Sequence, residues 1–497
     1  MLFNSVSFML FFPAAALLYY LVPKKIQVLY LLAASYFVYL WWEPVYGLLL
    51  FFSTLLTYGC GLLLERAQRG RRAILAGAIL ADLAPLFFFK YYNFFAQSLA
   101  SALGLFGVVF EPKKLSLLVP LGISFYTFQT IGYTIDVYRK KVPAERRFLA
   151  YSLFVSFFPQ VASGPIGRAD ALMPQFCHPH AFCYDTVTDG LRQMALGFFK
   201  KIAVADMLAI FVDGVFGDLG AYSGLTLIFA VFCYLFQIYC DFAGYSDIAI
   251  GCAKVLGFDL MDNFQTPLLS TSITAFWGRW HISLSSWFKD YLYIPLGGSH
   301  CTKVRHLCNL ALIFLVSGLW HGAAWTYVVW GALHALFRVL EELYKMAAGR
   351  RFGEGGGVLS RVFHTVLTAC LVAFSFIFFR APTLGDAVYV VRTQFKGLSL
   401  SRLGSDIFAL AQKGFNATPA LAAGFIAFCA LCLALLILLD CYRCFALKNK
   451  SLAHDMAAWR TPLRWGVYYL LTGLIFGAFL MQNGGFGASA SFIYLQY

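Results

Sequence analysis

Long apolar runs recur along the whole chain, and they constrain the fold more than any single motif does. Residues 6–22, 26–42, 45–64, 73–89 and 91–110 each carry at most one charged side chain. A helix rises 1.5 Å per residue, so roughly 20 such residues cross about 30 Å of hydrocarbon. Charged residues make up 12% of the 497 positions, about half the roughly 25% of a soluble domain. The sequence therefore predicts an all-α integral membrane protein. The cations sit in short loops beside the apolar runs: Lys24 and Lys25, then Arg66, Arg69, Arg71 and Arg72, then Lys113 and Lys114. Only Glu43-Pro44 separates the second and third runs. Basic loops favour the cytoplasm, which puts the amino terminus outside. The formal charge of +14 is accounted for in this way, and no groove-reading motif speaks for nucleic acid. The first run lacks a basic leader and a small-residue cleavage site, so it reads as a retained helix.

Beyond residue 114 the alternation is disturbed. Residues 115–138 lie between two basic clusters and contain Pro120, Gly122 and Gly132. A re-entrant or broken helix pair satisfies both facts, because such backbone is tolerated where protein lines it. Residues 148–161 lead into the break Ser163-Gly164-Pro165, and Gly197-Phe198-Phe199-Lys200-Lys201 reads as an amphipathic entry to another helix. Residues 225–239 form a span that runs into the polar end Asp241 to Asp247, residues 350–361 form a basic, glycine-rich linker, and spans at 362–379, 419–439 and 465–481 complete the chain. About 11 crossings are expected. They form one polytopic domain over 1–497, divided into amino-terminal helices (1–114), a core (115–345) and carboxy-terminal helices (346–497). Several of the 13 cysteines lie inside apolar runs, where a thiol behaves as a small hydrophobe and implies no disulfide framework.

The candidate chemistry is concentrated between Phe276 and His334. Here His281 follows Phe276-Trp277-Gly278-Arg279-Trp280, and His321 stands in Ser317-Gly318-Leu319-Trp320-His321-Gly322-Ala323-Ala324-Trp325. An imidazole among Trp, Phe and Leu is kept neutral by desolvation, and a neutral imidazole is a competent general base. Ionisable groups at membrane depth are read as functional by default. The bland alternative for either ring is a packed histidine bonded to a carbonyl of a neighbouring helix. His321 is the candidate base. His281 is a candidate second catalytic group, as oxyanion donor or orienting residue. Arg279 and Lys289, with Lys200 and Lys201, are candidates to meet cofactor phosphates, unless they snorkel towards lipid headgroups. Trp277, Trp280, Trp287 and Trp325 suit helix packing or interface belts, with a substrate path as the alternative for Trp280 in particular. Asp241 and Asp247 either order the site or take part in it, with helix-end pairing to a nearby arginine as the bland alternative. His334 is 13 residues beyond His321, roughly 140° around a continuous helix, and is expected to face elsewhere. Cys177, His178, His180 and Cys183 do not have zinc-site spacing, so no metal is expected. Cys441-x-x-Cys444 lies at a membrane edge, and neither a Walker-type phosphate loop nor a G-x-S-x-G elbow occurs.

These stretches resemble the membrane-bound O-acyltransferase family, in its bacterial branch of alginate and related polysaccharide O-acetylation. Matching patches are Leu121-Gly122-Ile123-Ser124-Phe125-Tyr126-Thr127-Phe128-Gln129, Phe157-Phe158-Pro159-Gln160 with Ser163-Gly164-Pro165-Ile166, and Gln237-Ile238-Tyr239-Cys240-Asp241-Phe242-Ala243-Gly244-Tyr245-Ser246-Asp247. The terminal Phe492-Ile493-Tyr494-Leu495-Gln496-Tyr497 matches as well. Gly278, where the branch often carries Arg, and Ala162-Ser163 depart from the pattern.

The resemblance implies a ring of tilted helices around a tunnel linking the cytoplasm to the outer face of a bacterial plasma membrane. It maps the family's catalytic histidine onto His321 and its second active-site position onto His281. Acetyl-CoA is the implied acyl donor, with Arg279, Lys289 and Trp280 as candidate residues for holding it. The acetyl group would pass to a cell-surface polysaccharide, directly or through an extracytoplasmic, esterase-like partner. The same fold supports D-alanyl transfer to teichoic acid from an acyl carrier protein. From a different class, a transporter or a scaffold of a polysaccharide export complex remains; a transporter would bring inverted repeats, and none is visible.

Overall fold

The computed structural model describes residues 1–497 except 2, 42–43, 117, 416–417 and 484–497. Glu43 and the terminal patch 492–497 thus lie outside the described residues. The described chain is helical, without strands. In chain order the elements used below are α1 (Val6–Leu21), α2 (Gln27–Leu40), α3 (Pro44–Arg66), α4 (Arg71–Gly104), α5 (Ile123–Tyr138), α6 (Tyr184–Phe198), α7 (Asp206–Phe216), α8 (Leu225–Val255), α9 (Ile282–Phe288), α10 (Lys303–His321), α11 (Trp325–Ala348), α12 (Val358–Arg380), α13 (Pro419–Cys441) and α14 (Thr461–Asn483).

Among the described residues seven helices are long and apolar enough to cross a membrane: α3, α4, α8, α10, α12, α13 with its continuation to Ala446, and α14. The sequence expectation of about 11 divided the chain differently. The expected spans 73–89 and 91–110 are one 34-residue helix, α4, which widens into a π turn over Phe87–Tyr91 and continues. Pro85 lies inside this helix without ending it. The first two runs are helices of 16 and 14 residues. Among the described residues of 115–138 there is one helix, not a pair: α5 begins at Ile123 and is buried over nearly its whole length.

α8 is the axis of the molecule. It is 31 residues long and buried over most of its turns, whereas α14 buries few of its side chains. α6 can pack against α8 at close range because of glycine. A Cβ on Gly197 would lie 2.7 Å from the Gly244 carbonyl oxygen, and one on Gly190 would lie 2.7 Å from that of Gly251. The two contacts are seven residues apart on each antiparallel helix, so the backbones touch once every two turns, as small residues allow within membranes. α8 does not end at the polar stretch Asp241 to Asp247 as the sequence suggested; it runs on to Val255 because those carboxylates find partners on the neighbouring chain segment.

Candidate active site

His321 is the last residue of α10, and its position follows from how α10 turns back into α11. Gly318 and Gly331 face each other there: a Cβ on Gly318 would sit 2.4 Å from the Tyr327 carbonyl oxygen, and one on Gly331 would sit 2.5 Å from that of Phe314. The reversal needs Gly322 as well, since a Cβ on it would lie 2.1 Å from the Tyr327 ring. These contacts press Trp330 onto the edge of His321, with ring centroids 5.0 Å apart. Phe379 of α12 and Trp320 complete the walls at 5.3 and 4.9 Å.

The last carbonyls of a helix lack partners within it. Those of α10 are collected by the π turn of α4. Lys90 Nζ donates to the Trp320 oxygen at 2.7 Å and to the His321 oxygen at 3.3 Å, and Tyr91 Oη donates to the Leu319 oxygen at 3.0 Å. Widened turns of this kind occur frequently at functional sites. A cation at the carboxyl end also complements the helix dipole. Sequence reasoning missed Lys90, although a lone lysine inside an apolar run was the available signal.

His281 stands immediately before α9 with φ 45° and ψ 54°, a left-handed conformation. A residue other than glycine held there costs about 1–3 kcal/mol and persists only when its surroundings over-determine it. Asn263 supplies that constraint. Its carbonyl accepts from Ile282 N at 3.0 Å, its Oδ1 accepts from Ser283 N and Oγ at 3.2 and 2.9 Å, and its Nδ2 donates to Ser246 Oγ on α8 at 3.1 Å. The imidazole is buried among Phe242, Phe125 and Trp320. Its centroid is 6.5 Å from that of His321. The structure thus brings the two sequence-selected histidines together from opposite ends of a 40-residue stretch. Both are enclosed, with His321 only 3% exposed.

His334 is not directed away, as the helical wheel implied. The wheel fails because the chain reverses at Gly322, so His334 belongs to α11 and not to the helix of His321. Trp277 Nε1–H, which can only donate, lies 3.2 Å from His334 Nδ1. Nδ1 is therefore the acceptor, and the ring proton sits on Nε2, 2.9 Å from Ser375 Oγ, which donates onward to the Val372 carbonyl at 2.7 Å. With both nitrogens committed, His334 packs on Trp330 (centroids 4.8 Å apart), the ring that lies against His321.

The candidate donor-binding residues are more dispersed. Trp280 is buried and packs against Phe276, Phe264 and Phe376. Arg279 is half-buried, 3.9 Å from Cys444 Sγ. Lys289 is exposed, next to Asp290, whose carboxylate accepts from Arg168 at 2.9 Å. Lys200 and Lys201 do not form a surface doublet. They are buried in the π turn Phe199–Ala205, where Lys200 meets Asp247 at 2.7 Å and Lys201 meets both Asp241 at 2.6 Å and Asp206 at 2.7 Å. The expectation of an amphipathic entry fails because each lysine is neutralised by a carboxylate of α8, 40 or more residues away, and Lys201 also by Asp206 at the start of α7. Beside Lys200, with Asp247, Asp262, Asp440 and Arg443, lies a cavity of about 30 Å³, room for about one water. Cys177 lies against Arg147, and His180 Nε2 is 3.0 Å from the Gln175 carbonyl.

Comparison with known proteins fits this arrangement. Residues 144–348 match the model of the membrane-bound O-acyltransferase family. The chain is 39% identical to a probable alginate O-acetylase, AlgI, of Azotobacter vinelandii, over 81% of this chain and 80% of that protein. It is 33% identical to a peptidoglycan O-acetyltransferase of Helicobacter pylori over 82% of each. A teichoic acid D-alanyltransferase of Bacillus subtilis is 27% identical over 64% of this chain and 79% of that protein. The multi-pass helical chain, with its two histidines enclosed at the end of α10 and the start of α9, belongs to the membrane-bound O-acyltransferase family.

Proposed function

We propose that this O-acyltransferase carries acetyl groups from cytoplasmic acetyl-CoA across the bacterial plasma membrane to an extracytoplasmic acceptor for polysaccharide O-acetylation. The observation that carries the reading is the pairing of His321 with His281 inside an aromatic enclosure, on a chain similar to named polysaccharide O-acetylases. His321 acts as general base and takes the proton of the acceptor hydroxyl as its oxygen attacks the thioester carbonyl. A C–O bond forms, the C–S bond breaks, and the imidazolium returns the proton to the departing thiolate. The developing oxyanion is stabilised by a donor beside it, the role proposed for His281. Exclusion of water by Trp320, Trp330 and Phe379 protects the thioester and strengthens the dipoles around it. Arg279 and Lys289 are proposed to meet donor phosphates, with Trp280 supporting Arg279 from the core.

The acceptor is reached directly or through an extracytoplasmic esterase-like partner. Donor identity is tested with the purified chain in proteoliposomes. Acetyl-CoA, without any charged carrier protein, should be consumed when an acceptor polysaccharide and the extracytoplasmic partner are supplied. A requirement for a D-alanyl-charged carrier protein, with acetyl-CoA left intact, would replace acetyl transfer by alanyl transfer.

A further inference from the structure

A cleft of about 620 Å³ opens between the α1–α2 turn and the segments 147–150 and 176–179, a size typical of a small-molecule site. Its walls are apolar, chiefly Val28, Leu31, Phe148, Leu149 and Phe176, while Lys24, Lys25 and His178 stand at its rim. The cleft is a built feature. Gln27 Nε2 donates to the His180 carbonyl at 3.2 Å, and His180 N donates back to Gln27 Oε1 at 3.2 Å, tying the 176–180 wall to the start of α2. Arg147 is fixed by Glu145, with Nε and Nη2 at 2.9 and 3.1 Å from its two carboxylate oxygens. Its charge is thereby matched, whereas Lys24 and Lys25 are exposed and no ion pair among the described residues engages them.

We propose that this cleft binds one anionic phospholipid, its phosphate held by Lys24 and Lys25 and an acyl chain lying along Val28, Leu31 and Leu149. The neighbouring surface is that of an apolar helix pair, with Ile26 and Leu29 exposed at 44% and 51%, so the mouth meets lipid at the level where basic side chains reach headgroups. Basic pockets between membrane helices on the cytoplasmic side suit anionic headgroups. Ordinary snorkelling would require the lysines but not the cleft; here a chain-sized apolar space lies directly beneath unmatched cations.

The test uses the full chain in neutral detergent, titrated with phosphatidylglycerol or phosphatidylcholine of identical acyl chains and read by native mass spectrometry. Phosphatidylglycerol should bind about tenfold or more tightly. The Lys24→Gln/Lys25→Gln variant should lose that preference, while Lys113→Gln/Lys114→Gln, at another exposed basic pair, should keep it. Leu149→Trp, which narrows the cleft, should weaken binding of both lipids. Equal binding of the two lipids by the wild-type chain would overturn the proposal. So would a preference that survives in the Lys24/Lys25 variant or is lost equally in the Lys113/Lys114 variant. Should the Lys24/Lys25 variant fail to fold, undiminished binding in Leu149→Trp overturns it instead.

Discussion

Lys90 and His321, 231 residues apart in sequence, are joined at the end of α10, where the ammonium donates to the His321 carbonyl at 3.3 Å and to that of Trp320 at 2.7 Å. The side chain that does the proposed chemistry and the backbone that aims it are therefore anchored by different parts of the chain. Lys90→Met should leave two helix-end carbonyls short of a donor, at about 1–3 kcal/mol, and should let the imidazole drift. Acyl transfer is expected to fall 10- to 100-fold, with partial recovery in Lys90→Arg. Initial rates alongside a thermal unfolding midpoint would check this; unchanged rates in Lys90→Met would remove the anchor from the account.

The α10–α11 reversal has no room for a methyl group. In Gly318→Ala the new Cβ would lie 2.4 Å from a backbone oxygen that cannot swing aside. Overpacking of this kind costs about 1–3 kcal/mol, and here it would also separate Trp330 from His321. A lower unfolding midpoint together with a loss of turnover is expected. A variant as stable and as active as the parent would mean that the helices do not approach as closely as described.

Lys201 is shared by Asp206 and Asp241 at 2.7 and 2.6 Å in a fully buried setting. Lys201→Met would leave two carboxylates uncompensated, and breaking a buried ion pair from one side costs about 3–5 kcal/mol. Poor recovery of folded protein is expected, measured by size-exclusion chromatography in detergent. Restoration by the triple change Lys201→Met/Asp206→Asn/Asp241→Asn would separate charge balance from a role in catalysis.

What the sequence reveals and what it hides divides along physical lines. The apolar runs and the two histidines among tryptophans are local signals, and both histidines are found together, 6.5 Å apart. Long-range pairing leaves no local trace. Lys200 and Lys201 look like the polar edge of an amphipathic helix because Asp247 and Asp241, which bury them against α8, lie 40 or more residues away. Asp241 and Asp247 look like a helix end for the same reason. One helical period carried across Gly322 misplaces His334, because α10 ends there and the chain reverses beneath the Tyr327 ring. The fusion of two expected spans into α4 was hidden by Lys90, whose charge reads as a loop until the carbonyls it serves are known.

The central claim is that His321 removes the acceptor proton, and the most direct measurement is acetyl transfer by His321→Ala in a membrane-inserted, folded chain. Proteoliposomes with matched amounts of wild-type and variant protein would be supplied with radiolabelled acetyl-CoA, an acceptor polysaccharide and the extracytoplasmic partner of the relay route. The account predicts that label reaches the polysaccharide with the wild-type chain and falls to background with the variant, while the unfolding midpoint of the variant remains close to that of its parent. Transfer at the wild-type rate by His321→Ala would contradict it.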